Sequence, residues 1–472
     1  MLYSKSAIGR AAAAALAGAV ALLAALLLSA GGAGAAAPRA TGPSGPPFLP
    51  GVVVVGYRTA PAAAADLSGP STGHRSDSLQ VRLLHVPRGS SVASEIRRLL
   101  RRRGVAYAVP DYLAHVASGS TPEWIPDDPG RAHVAQGWQK MQWNFLPGTG
   151  VNAPEAWANL LADHRPGGRG VIVAILDTGI AYRNWRQFRR SPDFSGTRFV
   201  DPYDFVANNR YPLDREGHGT FVAGTVAEST NNGFGLTGLA YGASIMPVRV
   251  LDENGWGDAA TIAKGIRYAA THGAQVINLS LEFDPSVSAR DIPDILSAIR
   301  FAHQRGVVIV GASGNESMQQ LAYPARAPAV FSVGATTVDR CVAEYSNDGS
   351  KLDLVAPGGG PDATLPNDPS CQPTRNLPDI YQMTFGNPLD PRQFGYPGDW
   401  FGTSMAAPHV AAAAALVIAS GVLGRHPSPD QVLARLEATA QTLGGAKPNP
   451  DFGYGLVDAG AATAPIAPSG RP

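Results

Sequence analysis

Four short segments of this chain carry polar side chains next to glycines, and together they could perform nucleophilic chemistry on an amide. Asp177 follows a continuous apolar run and precedes Thr-Gly, so a strand would deliver its carboxylate to the carboxyl end of a sheet. His218 lies between two glycines, Ser404 precedes a long alanine-rich stretch, and Asn315 follows another apolar run that ends in a glycine turn. Attack on an amide needs a hydroxyl, a base, a group that orients the base and a donor for the oxyanion, and these four residues supply one of each.

Each of these residues also has an ordinary structural interpretation when it is taken alone. Asp177 could cap a turn, His218 could be a buried histidine bonded to a backbone carbonyl, and Ser404 could be a simple helix N-cap. Asn315 could be the left-handed residue of a Ser-Gly-Asn turn. Taken together, the four residues favour a catalytic interpretation, because each is expected to end a strand or begin a helix and because they occur in the order Asp, His, Asn, Ser.

The elements that must position these residues can be predicted from short apolar runs. Such runs, rich in Val and Ile, are typical of strands buried on both faces, and they occur at Val171–Leu176, Ser244–Val250, Val276–Leu281, Val307–Val310 and Val330–Val333. Helical stretches lie between several of them, including residues 259–272 and 291–304. This alternation predicts an α/β fold with a mainly parallel twisted sheet between helices.

The N-terminal residues 1–37 have the pattern of a secretory signal peptide. Lys5 and Arg10 precede an uninterrupted apolar run at 11–30, and small residues follow, so we expect cleavage near Ala35. The run has nearly the length of a membrane span, which leaves an uncleaved anchor as the alternative. We therefore predict a secreted, extracellular protein without a stable membrane anchor.

Residues 38–120 predict a small α+β unit that precedes the main domain. After a linker at 38–47, the expected elements are strands at 51–57, 79–83 and 105–109, a loop at 60–78 and a helix at 94–103 capped by Ser94. Residues 117–130 break every periodic pattern and predict an exposed, cleavable connection. The main domain is expected at 121–464, followed by a C-terminal tail at 465–472.

The composition gives no reason to expect a nucleic-acid partner or a disulfide framework. The chain has 472 residues and a net charge of +1, so its charge gives no reason to expect nucleic acid as a partner. Five arginines between 97 and 103 fit the solvated face of a short amphipathic helix, because leucines occupy positions between them. Two cysteines in a chain of this length do not form a disulfide framework.

Three motifs resemble the signatures of the subtilisin family (subtilases). They are Asp-Thr-Gly at 177–179, Gly-His-Gly-Thr-Phe-Val-Ala-Gly at 217–224 and Gly-Thr-Ser-Met-Ala-Ala-Pro-His-Val at 402–410. The resemblance covers about residues 120–464, and residues 51–118 resemble the inhibitory propeptide of the family. It implies a three-layer subtilisin-like domain that acts as a serine endopeptidase and is held by its own propeptide as an intramolecular inhibitor and folding aid.

The resemblance also implies a role for each of the four residues. Ser404 would be the nucleophile, and His218 would be the general base and then the general acid. Asp177 would orient the imidazole of His218, and Asn315 would form the oxyanion hole with the backbone N–H of Ser404. The expected partners are protein or peptide substrates and the propeptide, and we expect a monomer. The alternative is a catalytically silent binding protein with the same fold, which the intact set of four residues disfavours.

A substrate groove is implied by the same resemblance. Its residues would be Trp256, Gly257, Ser280, Leu281, Glu282, Ala312 and Gly314. Glu282 stands where relatives usually carry glycine, so its carboxylate could favour Lys or Arg at P1, the substrate position on the N-terminal side of the scissile bond. The alternative is that Glu282 points to solvent. Glu216 could bias the neighbouring subsite in the same way.

Calcium is the one metal that the resemblance suggests, and no cofactor is expected for catalysis. Residues 230–236 resemble the calcium loop of the family, in which Asn232 would supply a side-chain oxygen. The carboxylate that relatives place soon after the triad aspartate is absent, and Arg186 lies in that stretch. Asp193 or Asp128 is expected to replace it.

The two cysteines, Cys341 and Cys371, both fall in the predicted main domain of a secreted chain. A disulfide between them is therefore favoured over two free thiols. The segment at 358–401 is rich in Pro and Gly and leads directly to Ser404. Its position leaves two interpretations open, a border of the cleft or a surface elaboration without function.

Overall fold

A computed structural model describes residues 48–58, 73–76, 79–87, 89–112 and 123–466, with gaps at 364, 366–367, 369–370, 372, 375–377 and 388–389. The predicted signal peptide, the linker at 38–47 and most of the predicted C-terminal tail lie outside the described residues. The chain divides into two compact units, Met1–Gly119 and Ser120–Pro472.

The first unit is a small antiparallel sheet with one helix. Its elements are β1 (Phe48–Tyr57), β2 (Gly73–Ser76), β3 (Leu79–His85), α1 (Val92–Leu100) and β4 (Val105–Tyr112). The strands lie in the order β2-β3-β1-β4. Val53, Val55 and Leu99 are fully buried between the sheet and α1, as the alternating pattern of β1 requires.

Two details of the first unit differ from the sequence-based expectation. The helix begins earlier than predicted, because Ser91 is the N-cap and Ser94 is the third helical residue of a capping box. The Oγ atom of Ser91 accepts a hydrogen bond from the N–H of Ser94 at 3.1 Å. The prediction of a continuous loop at 60–78 is wrong for β2, which pairs with β3.

The second unit contains a parallel sheet of eight strands. They are β5 (Ile172–Asp177), β6 (Arg198–Phe199), β7 (Tyr203–Asp204), β8 (Ser244–Arg249), β9 (Val276–Leu279), β10 (Val308–Ala312), β11 (Phe331–Thr336) and β12 (Leu354–Pro357). The order is β12-β11-β10-β9-β5-β8-β6, β7 also pairs with β8, and every pairing is parallel. The five predicted strands and the predicted fold class are confirmed.

Helices cover both faces of this sheet. They are α2 (Ala153–Ala162), α3 (His218–Ala227), α4 (Ala259–Thr271), α5 (Pro293–Gln304), α6 (Thr403–Ser420), α7 (Pro429–Thr439) and α8 (Ala459–Thr463). In β5, Val173 and Ile175 face the core that contains α3 and α6, whereas Ala174 and Leu176 face the core that contains α4 and α5. This alternation explains why the strand is apolar along its whole length.

The long helix α6 is the centre of the larger core. Among the described residues it is the one helix with the length and hydropathy of a membrane span, and 83% of it is buried inside the unit. Its alanines let neighbouring backbones approach from all sides, so it is a core helix, as predicted.

The predicted exposed connection at 117–130 is wrong for its second half. Residues 123–130 are irregular but packed: Asp128 is fully buried, and the indole N–H of Trp138 donates to the carbonyl of Pro126 at 3.0 Å. The N–H of Gly130 donates to the carbonyl of Gly235 at 2.9 Å. These long-range contacts could not be read from the local sequence, which lacks any periodic pattern.

The predicted disulfide joins Cys341 to Cys371. Cys371 belongs to the segment at 358–401. The same segment forms a short hairpin of β13 (Thr384–Phe385) and β14 (Phe394–Gly395). This hairpin lies on the side of the unit where α3 begins, because the hydroxyl of Thr384 donates to the carbonyl of Gly217 at 2.6 Å.

Candidate active site

The first two predicted site residues form a close pair at the carboxyl edge of the sheet. Asp177 is the last residue of β5 and is fully buried, and His218 is the first residue of α3, with its side chain 20% exposed. The Oδ1 atom of Asp177 lies 2.8 Å from Nδ1 of His218 and accepts the N–H of Thr178 at 2.7 Å. A carboxylate at Nδ1 keeps the proton on that nitrogen, which leaves Nε2 as the atom that can accept a proton.

A glycine and a buried aspartate hold the start of α3 against β5. A Cβ atom on Gly219 would lie 2.2 Å from the carbonyl oxygen of Gly179, so only glycine permits this approach. The carboxylate of Asp214 accepts the N–H of Gly217 at 3.0 Å and the hydroxyl of Thr178 at 2.9 Å. Asp214 thereby joins the turn after β5 to the turn before α3, and sequence reasoning did not single it out.

Ser404 is the second residue of α6, where free N–H groups favour developing negative charge. Pro408 has no N–H, so the carbonyl of Ser404 lacks its helical partner and instead accepts the hydroxyl of Ser280 at 2.7 Å. The Oγ atom of Ser404 donates to the carbonyl of Ser280 at 3.3 Å. Within the described residues it makes no hydrogen bond to His218, a contact that in such sites often tightens only when substrate binds.

Asn315 lies three residues beyond β10 and is fixed through its carbonyl oxygen. That Oδ1 atom accepts the N–H of Thr403 at 2.9 Å and its hydroxyl at 3.0 Å. The Nδ2 atom donates to Oε1 of Glu282 at 3.1 Å. Gly314 has φ of +115°, which turns the chain after β10 and directs the amide of Asn315 toward the start of α6.

A cleft of about 600 Å³ is lined by His218 and Ser404 together with most of the predicted groove, whereas Asp177 and Asn315 are not among its lining residues. Its lining includes His218, Ser404, Trp256, Gly257, Ser280, Leu281 and Glu282. Trp256 is 77% exposed at the rim. The two other predicted groove residues, Ala312 and Gly314, are buried and are not part of this lining.

The cleft is acidic. The carboxylates of Glu216, Glu282, Asp284 and Glu316 line it, and no Lys or Arg is among its lining residues. Glu282 does not point to solvent, because it is half-buried and bonded to Asn315.

Nearby carboxylates set the proton affinity of His218. Burial by itself lowers the pKa of His218, but the charge and hydrogen bond of Asp177, followed by the charges of Glu216 and Asp214, outweigh burial and raise the pKa to about 9. A base must be neutral to accept a proton, so activity that depends on His218 is expected to rise with pH through this pKa.

A Glu216→Gln variant is therefore expected to shift the acid limb of the pH profile of kcat/KM to lower pH. The Oε2 atom of Glu216 accepts the N–H of His218 at 2.6 Å, and glutamine keeps this acceptor while removing the charge. Loss of a nearby negative charge lowers the pKa of a histidine, here by about 0.5–1 unit. The measurement is kcat/KM for one peptide from pH 5 to pH 11. An unchanged limb, or a shift to higher pH, would contradict it.

An aromatic residue that sequence reasoning missed packs beside His218. The ring of Trp400 stacks on Phe221 with centroids 4.8 Å apart and lies 6.0 Å from the imidazole of His218. Together with the Thr384–Gly217 hydrogen bond, this contact makes the segment at 358–401 a border of the candidate site. The only sequence signal was that the segment leads directly to Ser404.

The predicted calcium ligands Asp128, Asp193 and Asn232 lie close to one another, at a site outside the cleft. The two carboxylate oxygens of Asp128 accept the N–H groups of Asn231 and Asn232 at 2.8 and 3.0 Å. Asp193 accepts the N–H of Leu236 at 2.8 Å through Oδ2, and both carboxylates are fully buried. Burial raises the pKa of Asp128 to about 6, and burial together with the charge of Asp128 raises the pKa of Asp193.

The site formed by Asp128, Asp193 and Asn232 offers oxygen atoms, which are the ligands that a hard cation such as calcium prefers. The Oδ1 atom of Asp193 is buried and has no hydrogen-bond partner in the described part of the chain. Burial, and then the charge of Asp193, raise the pKa of Glu228, a buried carboxylate that the sequence prediction missed. In the described ranges no group of three or more His, Cys, Asp or Glu has the spacing of a metal site. Calcium also binds amide and backbone carbonyl oxygens, so two carboxylates and Asn232 can form part of a calcium site.

Comparisons with known proteins agree with the fold and the cleft. Residues 168–455 match the model of the subtilase family, and residues 34–111 match the fervidolysin N-terminal prodomain. The family match and the relatives below support a serine-type endopeptidase. The chain belongs to the subtilase family, with a prodomain before the peptidase domain.

Individual relatives match about two thirds or more of this chain. The chain is 33% identical to a thermophilic serine proteinase of Bacillus sp. (strain AK1), over 78% of this chain and 75% of that protein. It is 33% identical to thermitase of Thermoactinomyces vulgaris, over 68% of this chain and 94% of the relative. A solved protease from Pseudoalteromonas arctica PAMC 21717 superposes with a TM-score of 0.58 at 30% identity, over 72% of this chain and 99% of that one.

Proposed function

We propose that this chain is a secreted preproenzyme whose peptidase domain hydrolyses peptide bonds through an acyl-enzyme on Ser404. The observation that carries the proposal is the 2.8 Å pair of Asp177 and His218, with His218 on the same cleft as Ser404. Hydrolysis of casein by the wild type, and its loss in a Ser404→Ala variant, is the direct test. A wild type as inactive as the variant would favour a silent binding protein of the same fold.

In the proposed mechanism, Nε2 of His218 takes the proton of the Ser404 hydroxyl as Oγ attacks the substrate carbonyl. The imidazolium that forms faces the carboxylate of Asp177, which is fully buried and therefore attracts it strongly. The N–H of Ser404 and Nδ2 of Asn315 donate to the oxyanion. His218 then protonates the leaving amine, and a water molecule repeats the sequence to release the acid product.

The first unit supports a role as an intramolecular inhibitor. It forms a compact sheet and helix of its own, and it coincides with the matched prodomain. Release of the active enzyme would require cleavage between β4, which ends at Tyr112, and the packed residues from 123 onward. Secretion is proposed from the signal pattern at 1–37.

We also propose a structural calcium ion held by Asp128, Asp193 and Asn232. The proposal is supported by the buried, unpartnered Oδ1 atom of Asp193 and by burial of both carboxylates, which raises the pKa of Asp128 and of Asp193, with the charge of Asp128 raising the pKa of Asp193 further. A divalent cation would neutralise these charges and tie residues near 128 to the loop at 230–236. It has no part in the chemical steps.

Chelation is accordingly expected to lower the thermal midpoint. Calcium at about 100 times its Kd would stabilise the folded state by about 2.7 kcal/mol, which corresponds to about 4 °C for a domain of this size. The measurement is thermal unfolding with excess calcium and with excess chelator, in the Ser404→Ala background so that autolysis does not contribute.

The matched control for calcium is an Asp193→Asn variant in the same background. It should unfold at a lower temperature and respond to the chelator much less than its parent. A parent protein whose midpoint is the same with calcium and with chelator would show that no stabilising ion is bound.

A further inference from the structure

Glu282 occupies an unusual position between the cleft and the amide of Asn315. It lies three residues beyond β9, where the chain turns away from the sheet, and it is half-buried. Its Oε1 atom accepts Nδ2 of Asn315 at 3.1 Å. Its Oε2 atom is buried and accepts no hydrogen bond from an N–H or O–H group of the described residues, and its neighbour is the carboxylate of Glu316.

A second carboxylate faces the first across Gly314. Oε2 of Glu282 and Oε2 of Glu316 would each lie 2.9 Å from a Cβ atom placed on Gly314. Glu316 accepts the N–H of Asn315 at 3.2 Å and Nδ2 of Asn347 at 2.6 Å. The two carboxylates therefore flank the same glycine turn, close to each other and to Asn315.

This pair of carboxylates has no positive partner. Neither Glu282 nor Glu316 forms an ion pair with Lys or Arg in the part of the chain that the structure describes, and none lines the cleft. Burial, and then the charge of Glu316, raise the pKa of Glu282 to about 7. A half-buried carboxylate with one unsatisfied oxygen gains most from a cation that reaches it from the cleft.

We propose that Glu282 binds a cationic P1 side chain, Lys or Arg, and that its bond to Asn315 makes the charge of that side chain act on turnover as well as on binding. The inference rests on the proposed function, since it assigns a substrate class to the same cleft. Glu282 acts here as a specificity residue and as a positioning residue for the oxyanion donor.

The link to turnover follows from the two hydrogen atoms on Nδ2 of Asn315. The carbonyl oxygen of this amide is fixed by Thr403, and one N–H is fixed by Glu282, so the other N–H is left for the oxyanion. A bare carboxylate next to this amide opposes the negative charge that develops on the oxyanion. A guanidinium or ammonium group on Glu282 cancels that opposition, and the benefit is larger in the transition state than in the ground state.

The test uses the processed enzyme and peptides that are identical except at P1, which is Arg, citrulline, Lys or norleucine. Citrulline matches Arg in shape without its charge. A charge-assisted hydrogen bond corresponds to roughly 10–100-fold, so the wild type should prefer Arg over citrulline by that factor in kcat/KM, with part of it in kcat. Equal cleavage of Arg and citrulline peptides, or a preference confined to KM, would overturn the proposal.

Three variants separate charge from position. Glu282→Gln keeps an acceptor for Asn315 and should bring the Arg and citrulline peptides to within about 3-fold of each other. Glu282→Gly removes the acceptor as well, so kcat for all four peptides should be lower than in Glu282→Gln, which lacks the same charge but keeps the acceptor. Asp284→Asn removes a cleft carboxylate that bonds Ser286 rather than Asn315, and it should keep the preference for Arg.

The outcomes distinguish this inference from the proposed function. Cleavage of every peptide without regard to P1 charge overturns the inference and leaves the peptidase assignment intact. A strong Arg preference that survives in Glu282→Gln also overturns it, because the recognising charge would then lie elsewhere. Absence of any cleavage overturns both.

Discussion

A Ser404→Ala variant of the full chain is expected to lose about 10⁶-fold in kcat and to remain unprocessed. The magnitude is the one measured for the nucleophile of subtilisin, a member of the same family. The physical reason is that, in the proposed mechanism, the hydroxyl oxygen of Ser404 forms the acyl-enzyme, and neither Asp177 nor His218 can replace it. Activity that remains would reflect the oxyanion donors and substrate binding alone.

The measurement combines a casein assay with N-terminal sequencing of both proteins. The wild type should show a new N-terminus between residues 113 and 123, whereas the variant should keep its prodomain. A Ser420→Ala variant is the matched control, because Ser420 ends the same helix and its hydroxyl bonds only the turn around Val417 and Val422. It should process normally. Equal processing of wild type and Ser404→Ala would refute self-cleavage.

An Asp177→Asn variant is expected to lose about 10⁴-fold in kcat near neutral pH, as an aspartate-to-asparagine change in another serine protease triad does. Asparagine matches the shape of aspartate, but its NH₂ group can donate to Nδ1 of His218. That contact favours the tautomer with the proton on Nε2, which cannot accept the proton of Ser404. The variant also loses the charge that stabilises the imidazolium.

The checks on Asp177→Asn separate chemistry from folding. kcat should fall while KM for the same peptide changes by less than about 3-fold, because the carboxylate is buried and is not among the cleft-lining residues. The thermal midpoint, measured in the Ser404→Ala background, should stay within a few degrees. A variant that keeps more than a tenth of the wild-type kcat would contradict the orienting role of Asp177.

The sequence by itself determined the framework of the peptidase unit and the residues on which the proposal rests. Continuous apolar runs rich in Val and Ile, such as 171–176, are typical of a strand buried on both faces, and the alanine-rich stretch after Ser404 is typical of a buried helix. Asp177, His218, Asn315 and Ser404 each stand at the end or start of such an element. Their approximate place was therefore predictable without coordinates.

The sequence-based errors have local causes. Ser91 and Ser94 are both good N-cap residues, and the choice between them depended on a capping box of two serines rather than on the hydrophobic pattern. Residues 123–130 have no periodicity, so their burial against the main unit left no local signal. At the start of α1 and in residues 123–130, backbone N–H and C=O groups form hydrogen bonds that the pattern of apolar residues does not predict.

Only the tertiary structure decided which distant side chains meet. Asn315 bonds Thr403 across 88 residues and Glu282 across 33, while Thr384 reaches Gly217 across 167. These pairings set the direction of the Asn315 amide, the position of Glu282 beside it and the contact of the segment at 358–401 with the start of α3. They depend on the path of the backbone between strands and on side-chain rotamers chosen by packing, and neither of these is recorded in the spacing of residues along one segment.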